Sequence, residues 1–419
     1  MAADRVPSDD PAAGPARGPW AELLRNRRFL LLEASGALSG AGYAVYSVSV
    51  LFLAYGRTNN LLLAGVVLFI ETGVYTLTFL IAPLVDRAAN KRSVLLVCFP
   101  IQAAAAAALA EGLRSGQLST PLLLALVLLL AFLWDFVWAV YVVAPRLVVP
   151  PRLLFAADGV GSALSVGSQI GGYAGGGALL FLVGPAGGAF AYFVLLGLAA
   201  ATCLPLSLPS PAAARASFGR MFRDGWAAFR GRAGRALRRF SALETFYGFA
   251  IGLPVLIAPA LAYQRFAVPS VAYGTLVTVN ALGGSVGGIV IGHLNPRAAV
   301  GRVLVVAPLV AAGALAALVV APSALAVVAL LFGGVGAAAS ARFTAKYTWL
   351  RAAFPAEQLG RIGSNMYLFT GAAGAVASLT IGVLSTHLSL AAIELLDAAA
   401  LGGAGLVALA MPFVRSLAF

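Results

Sequence analysis

The chain is short of charge, and that shortage excludes more than any motif does. Only 10% of its 419 residues are Asp, Glu, Lys or Arg, against about a quarter in an ordinary soluble domain, so a water-facing surface of normal polarity cannot be built from it. Histidine and cysteine each occur twice. His293 and His387 fall at the ends of different apolar stretches, expected on opposite membrane faces, which excludes a metal site made from the pair. Cys98 and Cys203 lie inside apolar stretches and read as small hydrophobes rather than a disulfide. There is no Gly-x-x-x-x-Gly-Lys phosphate loop and no soluble segment long enough for an ATPase domain. Nor is there a cluster of nucleophile, base or metal ligands. The expectation is therefore no enzyme, no cofactor and no metal. Residues 1–27 open with an Ala-, Pro- and Asp-rich stretch lacking the basic and apolar regions of a signal peptide, and read as a disordered cytoplasmic tail.

What the chain has in abundance is apolar sequence: 61% hydrophobic residues and a mean hydropathy of +0.94. Roughly 20 apolar residues cross a hydrocarbon core of about 30 Å as a helix. Twelve stretches meet that test, near 29–54, 61–84, 93–112, 120–148, 153–182, 188–208, 242–263, 272–293, 302–321, 323–346, 362–386 and 389–413. Barrel strands would be shorter and alternate in polarity, which the run from Leu122 to Leu133 does not. The fold class read from this is all-α integral membrane.

The net charge of +13 does not point to nucleic acid, because the basic residues are scattered among short connections. With the N-terminus in the cytoplasm, all Lys and Arg except Arg57, Arg114 and Arg265 fall on the cytoplasmic side. One missed or extra span would scramble that alternation, so both termini are expected inside. High Ala, Gly and Arg content, with Lys only at Lys91 and Lys346, points to a G+C-rich genome and a bacterial plasma membrane.

A repeat organises the spans. Arg87-Ala-Ala-Asn-Lys-Arg92 follows the second span, and Arg297-Ala-Ala-Val-Gly-Arg302 follows the eighth, 210 residues later. That is half the chain, and two six-helix halves are the simplest account: 28–208 and 242–419, joined by a basic cytoplasmic linker, 209–241. In the linker Phe218, Phe222, Gly225, Trp226 and Phe229 recur at helical spacing, as in an interfacial amphipathic helix. A solvated basic linker is the other reading.

Ala82-Pro-Leu-Val-Asp86-Arg87-Ala-Ala-Asn-Lys91-Arg92 resembles the motif between helices two and three of the major facilitator superfamily, with Ala82 at the usual leading glycine. The resemblance implies twelve helices in two pseudo-symmetric six-helix halves, and a cytoplasmic gate formed by Asp86, Arg87, Lys91 and Arg92. Topogenic charge is the alternative, though it leaves Asp86 unexplained. Gly171-Gly-Tyr-Ala-Gly175-Gly176 is similar to the antiporter motif of helix five. Its small residues, Gly171, Gly175 and Gly176, would let helices approach and slide. Pro355-Ala-Glu-Gln-Leu-Gly360-Arg361 resembles a loop of the drug and siderophore exporter branch and adds Arg361 to the gate. Leu38-Ser-Gly-Ala-Gly-Tyr43 resembles that branch's first-helix motif, but Tyr43 stands where an acidic residue is usual.

An ionisable group at bilayer depth costs about 2.5–3.5 kcal/mol on insertion scales, so each one is a functional candidate. Asp135 is central in span four and Glu71 in span two; Glu33 and Glu244 sit in the cytoplasmic thirds of spans one and seven, and Asp397 nearer the outer end of span twelve. The resemblance puts helices one, four, seven and ten around a central cavity, giving Asp135, Glu33 and Glu244 access to water. Trp134, Trp138 and Tyr141 recur around Asp135 as an aromatic face for a hydrophobic or cationic ligand, or as a packing stripe. Asp158, Ser162, Ser165 and Gln169 form one polar stripe along span five, bordering a pore or hydrogen-bonding a neighbouring helix. Asn280 is the near-symmetric counterpart of Glu71.

The function expected is secondary active transport by a monomer in the bilayer. It would be proton-coupled efflux of a small hydrophobic or cationic drug or metabolite, with Asp135 the first candidate for coupling. An importer or facilitator on the same fold is the alternative, followed by a non-transporting scaffold or receptor.

Overall fold

A computed structural model describes residues 22–208, 229–251, 253–293, 296–354, 356–415 and 417. Residues 1–21 of the tail and 209–228 of the linker lie outside them.

Among the described residues ten helices are long and apolar enough to cross a membrane, and the twelve crossings are recovered from two irregularities. The helices are α1 (Arg27–Thr58), α2 (Leu62–Tyr75), α3 (Thr78–Arg87), α4 (Lys91–Arg114), α5 (Thr120–Val143), α6 (Pro145–Val148) and α7 (Leu154–Cys203), then α8 (Gly231–Ile251), α9 (Leu253–Arg265), α10 (Pro269–His293), α11 (Pro296–Val320), α12 (Leu325–Ala353), α13 (Ala356–Leu384), α14 (Leu390–Ala410) and α15 (Pro412–Arg415). Helix α7 has 50 residues, a path of about 75 Å if straight, too long for one crossing. Gly184 breaks it at φ 70°, ψ −173°, a conformation open to glycine, and Pro185 follows with no N–H to continue the ladder. Its two arms are spans five and six. Span two is α2 plus α3, each too short alone.

The break in span two falls in a threonine-rich stretch. Thr72, Thr76 and Thr78 turn their hydroxyls back onto the carbonyls of Leu68, Gly73 and Tyr75, offering the backbone an alternative to the helical ladder. Helix starts follow sequence signals more simply: Asn26, Asn90, Ser119 and Ser389 each accept a hydrogen bond from an amide in the first turn of α1, α4, α5 and α14.

The packing repeats across the halves. Helix α1 packs on α7 as α8 packs on α13; α2 on α5 as α10 on α12; α4 on α7 as α11 on α14. Between halves, α2 packs on α13 and α7 on α10, and these two contacts exchange when each span is replaced by its partner six spans away. The fold is all-α, twelve membrane helices in two pseudo-symmetric halves. Apolar side chains such as Val97, Ile101, Leu128, Phe132, Phe181, Leu182, Val286 and Ile289 remain exposed, a belt suited to lipid rather than water.

Two boundaries differ from the sequence reading. The helix that becomes span seven starts at Gly231, inside the stretch read as linker. The last residues of the stretch read as disordered are docked: Leu23 is buried against Phe29, Val149, Leu153 and Ala157. Asn26 donates to the Val148 carbonyl at 2.7 Å, and Arg152 forks onto the Glu22 carboxylate at 2.5 and 2.8 Å. Arg152 holds that carboxyl below the ordinary range. A single buried leucine, the Asn26 cap and the Glu22–Arg152 pair hold this segment, and none of the three registers in average composition.

Candidate functional site

A cavity of about 660 Å³ opens between the halves at the end of the bundle where α1 begins and α12 ends. Spans one, four and five make one wall with Glu33, Trp134, Trp138, Tyr141, Asp158, Ser162, Ser165 and Gln169; span ten contributes Phe343 and Arg351 opposite. The span-five stripe, with two readings open from sequence, therefore faces the cavity. Gln169 also donates to Ser165 at 3.3 Å, so the stripe partly satisfies itself. Trp138 is 38% exposed. Trp134 stacks on Tyr43 at 4.7 Å and 16°, and the Tyr141 hydroxyl lies 2.7 Å from Ser35 Oγ. The aromatic face is anchored to α1 by these contacts while still lining the cavity.

At the opposite end the halves are closed. A Cβ on Gly177 would stand 2.6 Å from the Gly274 Cα, so α7 and α10 touch backbone to backbone, which only glycine allows on both sides. Gln264 donates to the Tyr55 hydroxyl at 3.1 Å. Phe52 stacks on Tyr263 at 4.6 Å, and the Leu61 amide donates to Ser385 Oγ at 3.0 Å.

Asp135 does not line the large cavity. It is 1% exposed, one helical step from Trp134, and its Oδ2 lies 3.2 Å from the Thr78 hydroxyl at the break in span two. That hydroxyl is also 2.7 Å from the Tyr75 carbonyl. It has one proton to give, so the carboxylate and the Tyr75 carbonyl compete for it or share it. Glu71 is likewise off the cavity, within electrostatic reach of Tyr43, Tyr46, Tyr173 and Tyr192. Asn280 donates to the Phe332 carbonyl at 2.8 Å and lines a small void of about 50 Å³ with Ser47, Tyr173 and Tyr273.

Glu244 is the centre of a buried cluster. Arg342 Nη2 lies 2.5 Å from its Oε1 and Lys346 Nζ 3.4 Å from its Oε2, with Glu244 and Arg342 each 2% exposed. The Arg342 guanidinium lies 3.6 Å over the Tyr247 ring. The Lys346 ammonium is 5.1 Å from the ring centroids of Phe343 and Tyr347 and 5.6 Å from Tyr367. Arg342 and Lys346 were not among the residues the sequence singled out; their signal was two cations at i, i+4 inside an apolar span, which require an anion nearby.

The glycine assignment is corrected. A Cβ on Gly171 or Gly175 would meet nothing within 4 Å, whereas one on Gly172 would reach the Ala41 carbonyl at 2.5 Å and one on Gly176 the Val45 Cα at 3.2 Å. Helical phase decides this: positions 172 and 176 face α1, and 177 faces α10. At the other motif, Lys91 is buried and donates to the carbonyls of Val85 and Ala88 at 2.6 and 3.1 Å, capping α3. Arg87 is exposed and Arg92 half-buried. The side chains of Asp86 and Arg361 lie outside the described ones.

Twelve helices in two exchangeable halves, around a cavity open at one end and closed at the other, define a polytopic membrane protein of the major facilitator fold. Solved structures agree. The nucleoside transporter NupG matches with a TM-score of 0.73 at 12% identity, over 91% of this chain and 98% of its own. A POT family transporter in complex with 5-aminolevulinic acid gives 0.71 at 12%, over 94% and 97%. A bacterial homologue of the human lysosomal transporter Spinster, inward-facing and unoccupied, gives 0.67 at 16%, over 94% and 97%. At these identities the likeness is one of fold, and these neighbours are transporters, not enzymes. No family model and no curated protein matches the sequence.

Proposed function

We propose that this chain is a secondary active transporter of a bacterial plasma membrane, with cytoplasmic termini, that exports a small hydrophobic or cationic molecule in exchange for protons. The observation that carries the reading is the cavity: walled by both halves, open at the end that the charge pattern puts in the cytoplasm, and closed at the other by glycine and aromatic contacts. A molecule entering it meets the indoles of Trp134 and Trp138 and the carboxylates of Glu33 and Asp158, a combination that favours cations. Asp135 is the proposed proton site. Its contact with Thr78 at the hinge of span two ties its protonation to the shape of a helix that packs on the other half.

Import through the same cavity is the second reading, supported by the same opening, since an exporter loads and an importer unloads in a cytoplasm-open state. Flux in proteoliposomes under an imposed proton gradient tests both. Accumulation against the gradient's direction fits export, accumulation with it fits import, and flux indifferent to the gradient and to Asp135→Asn refutes proton coupling.

A further inference from the structure

The two walls of the cavity carry opposite charge and do not neutralise one another. Glu33 and Asp158 line it from the N-terminal half and Arg351 from the C-terminal half. None of the three makes an ion pair among the described residues. The Glu33 carboxylate lies against Gly161, where a Cβ would come within 3.0 Å of Oε2, so the absent side chain is what lets the carboxylate sit at that wall. Behind the opposite wall a second cation is in surplus. Arg342 and Lys346 share the single carboxylate of Glu244, and the looser partner, Lys346, lies 5.1 Å from the Phe343 ring, which itself lines the cavity. One wall is thus anionic, with the aromatic face of Trp134, Trp138 and Tyr141 on it, and the other cationic.

We propose that the transported molecule is amphoteric, with an amine held by Glu33 and Asp158 and a carboxylate or other anionic group held by Arg351 in the field of Lys346. This rests on the transport reading and narrows its ligand from a simple cation to a molecule that also carries an anionic group. In the open state water solvates all these charges. As the walls approach, water leaves, and any charge left without a partner becomes costly. A monocation neutralises the N-terminal wall and leaves Arg351 unpaired; a monoanion does the reverse. A molecule carrying both charges satisfies both walls, so closure of the cavity favours it. An aryl or alkyl body between the charges rests on the indoles.

The test uses the purified full chain and matched trios of aryl amino acids, their methyl esters, which are cations, and their N-acetyl derivatives, which are anions. Thermal stabilisation is the screen and direct binding the measurement. The amphoteric member should bind at least about tenfold more tightly than either derivative. Arg351→Gln should reduce it to the level of its ester, and Glu33→Gln with Asp158→Asn to that of its N-acetyl form. All three positions face the cavity, and an unchanged melting temperature without ligand verifies folding. Esters that bind as tightly as their parents, or a preference untouched by Arg351→Gln, would overturn the amphoteric assignment while leaving cation export standing. No stabilisation by any member, with no gradient-driven flux, would overturn the transport reading as well. Binding abolished in phosphatidylethanolamine nanodiscs but kept in phosphatidylglycerol ones would assign the site to a lipid headgroup and overturn a soluble substrate.

Discussion

The Glu244 cluster predicts an asymmetry that a simple count of salt bridges does not. Three charges with a net of +1 sit almost fully out of solvent, and the short contact is between Glu244 and Arg342, at 2.5 Å, with Lys346 at 3.4 Å. Glu244→Gln keeps the shape but leaves two neighbouring cations with no anion, and breaking a buried pair in this way costs about 3–5 kcal/mol. Lys346→Met removes the surplus charge, keeps most of the side-chain volume and leaves a one-to-one pair whose guanidinium still lies over Tyr247. Its effect should stay within about 1 kcal/mol of wild type. The assay is thermal unfolding in nanodiscs at one fixed scan rate, since unfolding of such a chain need not be reversible. With roughly 2–4 °C per kcal/mol for a unit the size of one half, Glu244→Gln should melt roughly 6–20 °C lower and Lys346→Met less than about 4 °C from wild type. If Lys346→Met melts as low as Glu244→Gln, the third charge is a structural partner rather than a surplus, and the reasoning fails.

Three further outcomes are expected. Gly274→Val should be unable to keep the backbone approach to Gly177, so a cysteine placed at Gln264 should label faster with an impermeant maleimide than in the parent; equal labelling would mean that end is not held shut there. Asp135→Asn should abolish proton-driven flux while substrate binding or passive exchange partly survives, and normal proton-driven transport by the mutant would move the coupling role to Glu71, Glu33 or Glu244. Glu22→Gln should release the segment before α1 to protease. Because Arg152 lowers the Glu22 pKa, the wild-type tie should persist as pH falls through the ordinary carboxylate range and be lost only below it; equal cleavage of mutant and wild type at neutral pH would reduce the tie to an incidental surface contact.

The sequence by itself determined the solvent, the helical class and the number of crossings, because these depend on local composition: apolar runs of membrane length separated by short basic connections. It also determined the polar stripe of span five, since helical spacing puts Asp158, Ser162, Ser165 and Gln169 on one face whatever surrounds them. The tertiary structure alone decided what each face meets. Trp134 and Asp135 are chain neighbours, yet a helical step of about 100° turns one to the cavity and the other to Thr78. Gly175 and Gly176 look alike in sequence, yet only one lies against α1. Glu244 gains its meaning from Arg342 and Lys346, about a hundred residues away in the chain. Periodicity fixes which residues share a face, but it carries no information about the partner opposite, and in a protein where nearly every face is apolar only the packing of the two halves supplies it.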